Sequence, residues 1–410
     1  MRFHTLDSIS VTPRLATSLL LAALIAHPGC SSDDGGPSGP DANVPGAPDA
    51  GMSTPDAGMD TPDAGMDTPD AGMDTPDAGT PSGDAGPLLE GAITLAGSGL
   101  PGASDGPRDM AGFDNPVNVM IGPDGNIYVA DFGNDSIRRI TPSGMVSTLI
   151  EQSNFRRPFG MVFAADGTLY AQTDTNDTGG LSTTTGTIWR VDLASGEATV
   201  VARNIGRPRG LARLSDGRLV LAEGPRHSVL LLDPDAASPT PTLLAGSNDA
   251  QLGGYVDGTG AAARFNRPQD AVVVDDEIYV ADRENHRIRK ITLAGVVTTV
   301  AGSGTPGSQD GSMAQASFSR PYALASDSAG NLYVSDLDGY RIRKIDLASG
   351  MVTTIAGTGT PGHLDAEDPM AAQFFGLEGI DVGEDMYLYA ADGSRGENEP
   401  YHRVRRVSLP

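Results

Sequence analysis

Residues 265–302 read FNRPQDAVVVDDEIYVADRENHRIRKITLAGVVTTVAG. Four short apolar runs follow one another in this stretch: AVVV, EIYVAD, IRKI and VVTTVAG. The first is closed by Asp275-Asp276, the second by a polar turn, and the third by Ala294-Gly295. Runs this short between turn-forming residues predict strands rather than helices. Four antiparallel strands in about 40 residues make one blade of a β-propeller.

The unit recurs on both sides. Residues 318–357 read FSRPYALASDSAGNLYVSDLDGYRIRKIDLASGMVTTIAG, and residues 113–150 read FDNPVNVMIGPDGNIYVADFGNDSIRRITPSGMVSTLI. Residues 155–202 and 205–246 are looser copies, the first with a polar insertion from Asp174 to Thr187. A last copy starts at Phe374 and ends at VRRVSLP, one strand short. The missing strand is expected from the other end, because AITLAG at residues 92–97 matches VTTVAG but precedes the first complete unit. An N-terminal strand that completes the last blade also covers an open sheet edge. The prediction is an all-β, six-bladed propeller over residues 88–410.

The repeat resembles the NHL family. The marks are the aromatic-x-x-Pro lead, the strand GNIYVAD or GNLYVSD, the strand RIRKI, and VTTVAG or VTTIAG. The resemblance covers nearly all of residues 92–408 and implies the propeller fold. It does not single out an activity, since NHL propellers include sensors, protein-binding scaffolds and a few lyases.

Composition agrees with a turn-rich β protein. The 410 residues include 53 Gly and 30 Pro, with only 5% aromatics. The formal net charge of −25 disfavours nucleic acid, whose phosphates it repels. Cys30 is the only cysteine, so no intramolecular disulfide forms.

Residues 1–29 read as a signal peptide: Arg2 and Arg14 precede the apolar run from Leu15 to Ala26, which is too short to span a bilayer. Pro28-Gly29-Cys30 resembles a bacterial lipobox, although His27 stands where Leu is preferred. Lipidation of Cys30, with Ser31 behind it, implies an outer-membrane lipoprotein, periplasmic or surface-exposed; without the lipid the protein is secreted. Residues 30–87 hold no Lys or Arg and repeat Thr-Pro-Asp-Ala-Gly-Met-Asp from Thr54 to Asp74. Pro and Gly in every unit exclude a coiled coil. Such a segment is expected to be a disordered acidic tether, reaching about 40 Å as a random coil.

Strand direction assigns the functional residues to a face. The loops leading into each blade and the turns between second and third strands share one face, here called the loop face. The Asp-Gly and Ser-Gly hairpins share the other. Arg157, Arg207, Arg267 and Arg320 precede the lead prolines on the loop face, near Asp131, Glu223, Asp282, Asp336 and Asp392 at second-strand ends. Each arginine is expected to pair with a nearby carboxylate and help lock the blades. His227, His286 and His402 occupy equivalent turns, spaced around the ring and therefore not convergent on one metal ion. No nucleophile elbow, Walker loop or HExxH is present, and the AGSG runs end strands rather than open helices.

Positions just after the lead prolines differ from blade to blade and are expected to rim the central channel. Asn118, Phe159, Arg209, Gln269, Asp270, Tyr322 and Glu378 mix aromatic, cationic and anionic character, as a ligand site does. The favoured reading is a membrane-anchored binding or scaffold module, monomeric, taking an envelope protein or glycan, with no cofactor, metal or catalytic residue assigned. The alternative is a channel-centred lyase or lactonase-like hydrolase using Asp270 and Glu378. Six-bladed lactonases resembling this fold carry several acidic and amide channel ligands, whereas only Asn118, Asp270 and Glu378 are at hand here.

Overall fold

The computed structural model describes residues 90–396 and 401–410. The expected signal peptide, Cys30 and the tether lie outside the described residues.

Six antiparallel sheets follow one another in the chain. In blade 1 the inner-to-outer strands are Pro116–Ile121, Ile127–Asp131, Ser136–Ile140 and Met145–Thr148. Blade 4 repeats this with Pro268–Val274, Glu277–Asp282, Arg287–Ile291 and Val296–Ala301. Inner strands of successive blades touch all the way round, and the last returns to the first. The second strands are buried from end to end because neighbouring blades cover both of their faces. Their IYVAD-type runs are therefore apolar on both sides rather than alternating.

Ring closure occurs as the sequence implies. The N-terminal strand Ala92–Gly99 lies antiparallel to His402–Ser408, pairing Ala92 with Val407 and Thr94 with Arg405. It thereby completes the sheet of Leu377–Val382 and Tyr387–Asp392 as blade 6. Blades 1, 4 and 5 also carry a short fifth strand, at Gly106–Pro107, Gly258–Thr259 and Gly311–Ser312, which the four-run reading did not contain.

Of the lead arginines, Arg207 pairs with Asp174 and Arg320 with Glu284 and Asp338. The second-strand aspartates Asp131, Asp282, Asp336 and Asp392 are not their partners and belong instead to an arginine on the third strand. Arg289 is fully buried; one terminal nitrogen donates to Asp282 at 2.7 Å and the other to Asp257. Its guanidinium lies 5.2 Å from the ring centre of Phe265, the lead aromatic. Arg138 makes the same node with Asp131, Asp105 and Phe113, and Arg343 with Asp336, Asp310 and Phe318. Arg405 makes it with Asp392, Asp365 and Phe374. The outer carboxylate also accepts from a fourth-strand threonine: Thr148, Thr299 and Thr354 in turn. In blade 6 that threonine is Thr94 of the closing strand, whose N–H and hydroxyl both donate to Asp365. The node thus ties the ends of the chain together.

The AG that ends four of the outer strands has a steric reason. Gly97, Gly246, Gly302 and Gly357 have φ between 98° and 106°. A Cβ at Gly302 would stand 2.5 Å from the His286 carbonyl oxygen, and the other three meet the equivalent carbonyl. Glycine is required there for close backbone approach.

Removing one partner of a buried ion pair strands the other charge, which costs about 3–5 kcal/mol. Arg289→Ala is therefore expected to lower the midpoint of urea unfolding by a corresponding amount. An unchanged midpoint would show that blade 4 does not depend on its node.

Candidate functional site

The seven residues expected to rim one channel divide into two layers. Asn118 and Asp270 line a cavity of 260 Å³ toward the hairpin end of the channel, together with Asp381, Met161, Leu324 and Ile380. Phe159, Arg209, Gln269, Tyr322 and Glu378 stand above it at the loop end and take no part in its lining. The split follows the distance from the lead proline: Asn118 and Asp270 stand two residues after it, the others one residue after it or after Leu377, which takes its place in blade 6. A shift of register between each lead position and the following strand, as at Pro268/Ala271 and Leu377/Gly379, puts consecutive side chains at different levels.

In the lower layer the carboxylates fasten adjacent blades. Asp270 accepts the N–H of Ala271 and, across the blade boundary, that of Leu324, each at 2.8 Å. Asp381, which the sequence reading did not single out, does the same with Val382 and Ile121. Asn118 accepts from Val119 at 2.8 Å. Burial pushes the Asp270 carboxyl up to about 7, with the nearby Asp381 charge adding to it; burial also raises Asp381, to about 6, against the N–H bonds from Ile121 and Val382. Among the described residues no three His, Cys, Asp or Glu side chains converge to hold a metal ion.

The upper layer closes the loop end of the channel. Phe159 and Tyr322 are buried, with ring centres 6.4 Å apart. The Arg209 guanidinium lies 4.5 Å from the Phe159 ring centre, and that of Arg283 lies 5.3 Å from Tyr322. Arg209 also donates to Asp174 at 2.9 Å. Asp174, from the blade 2 insertion, is fully buried and also accepts from Arg207. Burial by itself would raise its carboxyl, but Arg209 and Arg207 hold it at about 2. Glu378 is raised by burial, against the opposing pull of Arg209 and Arg395. Arg395, from the second-to-third-strand loop of blade 6, donates to Asp338 of blade 5 at 2.8 Å and lies 5.8 Å from the Phe375 ring centre. Phe375 in turn stacks on Tyr401 at 4.2 Å.

Blades 2 and 3 depart from the node. In blade 2, Trp189 takes the arginine position and donates from its indole nitrogen to Thr173 at 2.8 Å. In blade 3, Leu230 takes it, and Glu223 accepts instead from the N–H groups of Arg207 and Arg226. Asp174 and its two arginines stand at this irregular junction. The signal for Asp174 was present as the first residue of the insertion, but nothing in the spacing marked it as buried.

The three histidines are blade latches. His227 Nδ1 accepts the N–H of Arg267, His286 Nδ1 that of Arg320, and His402 Nδ1 that of Asn115, at 3.0, 3.1 and 2.7 Å. Each bond joins one blade to the lead residue of the next. Asp135 plays the same part from blade 1, accepting the Arg157 N–H at 2.9 Å.

The polypeptide joins the propeller at the hairpin face. Gly91 N–H donates to Ser408 Oγ, and Tyr387, beside the last inner hairpin, donates its hydroxyl to Glu90. The loop face is the opposite end.

Comparison with known proteins agrees with the repeat. Residues 265–291 match the profile described as NHL repeat, and residues 103–180 that of the Teneurin NHL domain. NHL repeat-containing protein 2 of Bos taurus is 32% identical over 127 residues, covering 29% of this chain and 17% of that protein. The chain therefore spans less than a fifth of that relative. A Bacteroides thetaiotaomicron protein of unknown function superposes with a TM-score of 0.62 at 21% identity, covering 78% of this chain and 75% of the other. An auxiliary nutrient binding protein of Bacteroides ovatus gives 0.60 at 20%, covering 78% and 77%. At such identities the likeness is one of fold.

Burial lowers the pKa of His227 and His286 below the ordinary 6.5, and a protonated Nδ1 has no lone pair to accept with. The unfolded chain binds these protons near 6.5 while the folded chain resists them. Their contribution is therefore complete above 6.5 and is lost as pH falls through 6.5 toward the folded pKa. The latches alone would lower the unfolding midpoint between about pH 7.5 and about pH 5.5, whereas the raised Asp270 and Asp381 carboxyls take up protons on folding and act in the opposite sense. The stability of His286→Asn, whose amide oxygen accepts as Asp135 does, is therefore expected to improve relative to the wild type as pH falls over that range; a difference that does not change with pH would exclude the latch.

Proposed function

We propose that this six-bladed propeller of NHL repeats is an extracytoplasmic binding module. Its loop face takes an envelope protein or glycan, and a lipid on Cys30 holds it to the membrane through the acidic tether. The observation that carries the reading is the contrast between two kinds of position. The arginine node is the same in blades 1, 4, 5 and 6, as a packing device should be. The innermost loop-end position carries Val117, Phe159, Arg209, Gln269, Tyr322 and Glu378 in turn, with no two alike. Structure that only packs has no reason to vary this way around a ring.

The entry point of the polypeptide supports the choice of face: it reaches the propeller on the hairpin side, at Gly91 beside Ser408, and so does not cover the loop face. The lipid, the envelope location and the partner are parts of this proposal. The lyase or lactonase-like alternative is not favoured: Asp270 and Glu378 lie in different layers, and both Asp270 oxygens are engaged by backbone amides.

Two measurements test the reading. Cys30→Ser is expected to move the protein from the membrane fraction to the soluble fraction; retention in the membrane would remove the lipid from the account. A photo-crosslinking residue at Thr183, exposed on the loop face, is expected to capture a partner in intact cells, whereas one at Asp216, exposed on a hairpin, captures none. Capture from Asp216 alone would reverse the assignment of faces.

A further inference from the structure

The hairpin face carries a groove close to the point where the chain enters. It runs between blades 6 and 1, from Asp381 and Phe163 near the channel to Leu95 and Arg108 at the outer rim, and has a volume of 710 Å³. Its walls are largely apolar: Leu95 and Tyr389 of blade 6 and Ile121, Ile127 and Ile140 of blade 1. Arg108 and Arg406 bring positive charge to its outer half. Two of its acids are engaged within the propeller, Asp385 by the Tyr389 hydroxyl and Asp381 by the N–H groups of Ile121 and Val382. An open groove with apolar walls is a surface that a seated apolar segment would withdraw from water.

The first described residues lead toward this groove. Glu90 accepts the Tyr387 hydroxyl at 2.8 Å, and the Arg406 guanidinium, which lines the groove, lies 4.1 Å from the Tyr387 ring centre. Tyr387 packs with Leu95, Tyr389 and Ile127, on the side of blade 6 that meets blade 1. Glu90 is therefore held on the blade 1 side of the sheet. The two residues before it are Leu88 and Leu89, the only leucines between Cys30 and Glu90. Two residues span up to about 7 Å, which brings the pair to the wall formed by Arg406 and Tyr389. Behind them come Asp84 and Asp77, and residues 30–89 hold no Lys or Arg, so the segment complements Arg108 and Arg406 in charge.

We propose that Leu88 and Leu89 seat in this groove, with the acidic residues behind them running past Arg108. The chain's own N-terminal segment then covers the cleft between blades 6 and 1 and leaves the propeller along it. These are the two blades between which the ring closes, so the contact acts as a clasp over the closure. It does not depend on what the loop face binds.

Disulfide trapping in the full-length chain tests the seating. Cys30→Ser removes the only native thiol. In that background Pro87→Cys is paired either with Pro142→Cys, in the outer hairpin of blade 1, or with Ala348→Cys, in the outer hairpin of blade 5 on the other flank of blade 6. The first pair is expected to close intramolecularly about tenfold faster or more, because seating raises the effective concentration on one side only. Equal rates would overturn the proposal. Disulfide-linked dimers in place of the intramolecular bond would give the groove to a second copy's segment and overturn it as well. The second measurement adds no cysteine. Replacing Leu88 and Leu89 together by Ser is expected to speed hydrogen exchange about tenfold in residues 141–144 and 383–386, and to leave residues 215–218 unchanged. Unchanged exchange in both groove hairpins would show that the leucines do not cover them and would overturn the proposal.

Discussion

A guanidinium buried away from water must be met by carboxylates and carbonyls or it destabilises the fold. Four times in this propeller an arginine meets that requirement in the same way. Arg138, Arg289, Arg343 and Arg405 are each fully buried, each bonded to a second-strand aspartate, and each bonded to a second aspartate that lies before the lead aromatic. The node joins second strand, third strand and the incoming connector, and through a threonine it reaches the outer strand as well. Since the connector comes from the preceding blade, one side chain fixes both a blade and its neighbour. Blade 6 borrows its threonine from residue 94, so closure of the ring uses the same device as every regular blade.

The two blades without the node mark where the molecule is asymmetric. Trp189 replaces the charged pair by an indole hydrogen bond to Thr173, and Leu230 leaves Glu223 to be held by backbone amides. Beside them Asp174 pairs with Arg207 and Arg209, and Arg209 lies against the Phe159 ring. Packing regularity and functional variety are thus separated in space: the node lies between second and third strands, and the variable residues lie at the loop end of the first.

Much of this was legible in the sequence. Four apolar runs per unit and the stray AITLAG foretold six blades and the closing strand, because strand length and turn residues are local properties. Assignment of Arg157, Arg207, Arg267 and Arg320 to the loop face followed from chain direction alone. The third-strand arginine nodes did not. Asp105, Asp257, Asp310 and Asp365 recur before four of the lead aromatics, but their role depends on the path of the connector, which periodicity does not describe. The grouping of Asn118 and Asp270 with Glu378 failed for a related reason: register shifts beside the lead positions change the level at which neighbouring residues meet the channel. The histidines were recognised as unsuited to a metal, yet their Nδ1 bonds across blade boundaries belong to tertiary geometry.

A propeller of this kind presents two ends, and the account places recognition at the loop end rather than the hairpin end. Hydrogen–deuterium exchange on the protein recovered from cells with bound material, compared with the same protein stripped of it, addresses that placement directly. The account predicts added protection in residues 174–187 and 393–396, at the loop end, and none in the hairpins at 122–126 and 215–218. Protection confined to the hairpins, or to the inner strands around Asp270 and Asp381, would contradict it.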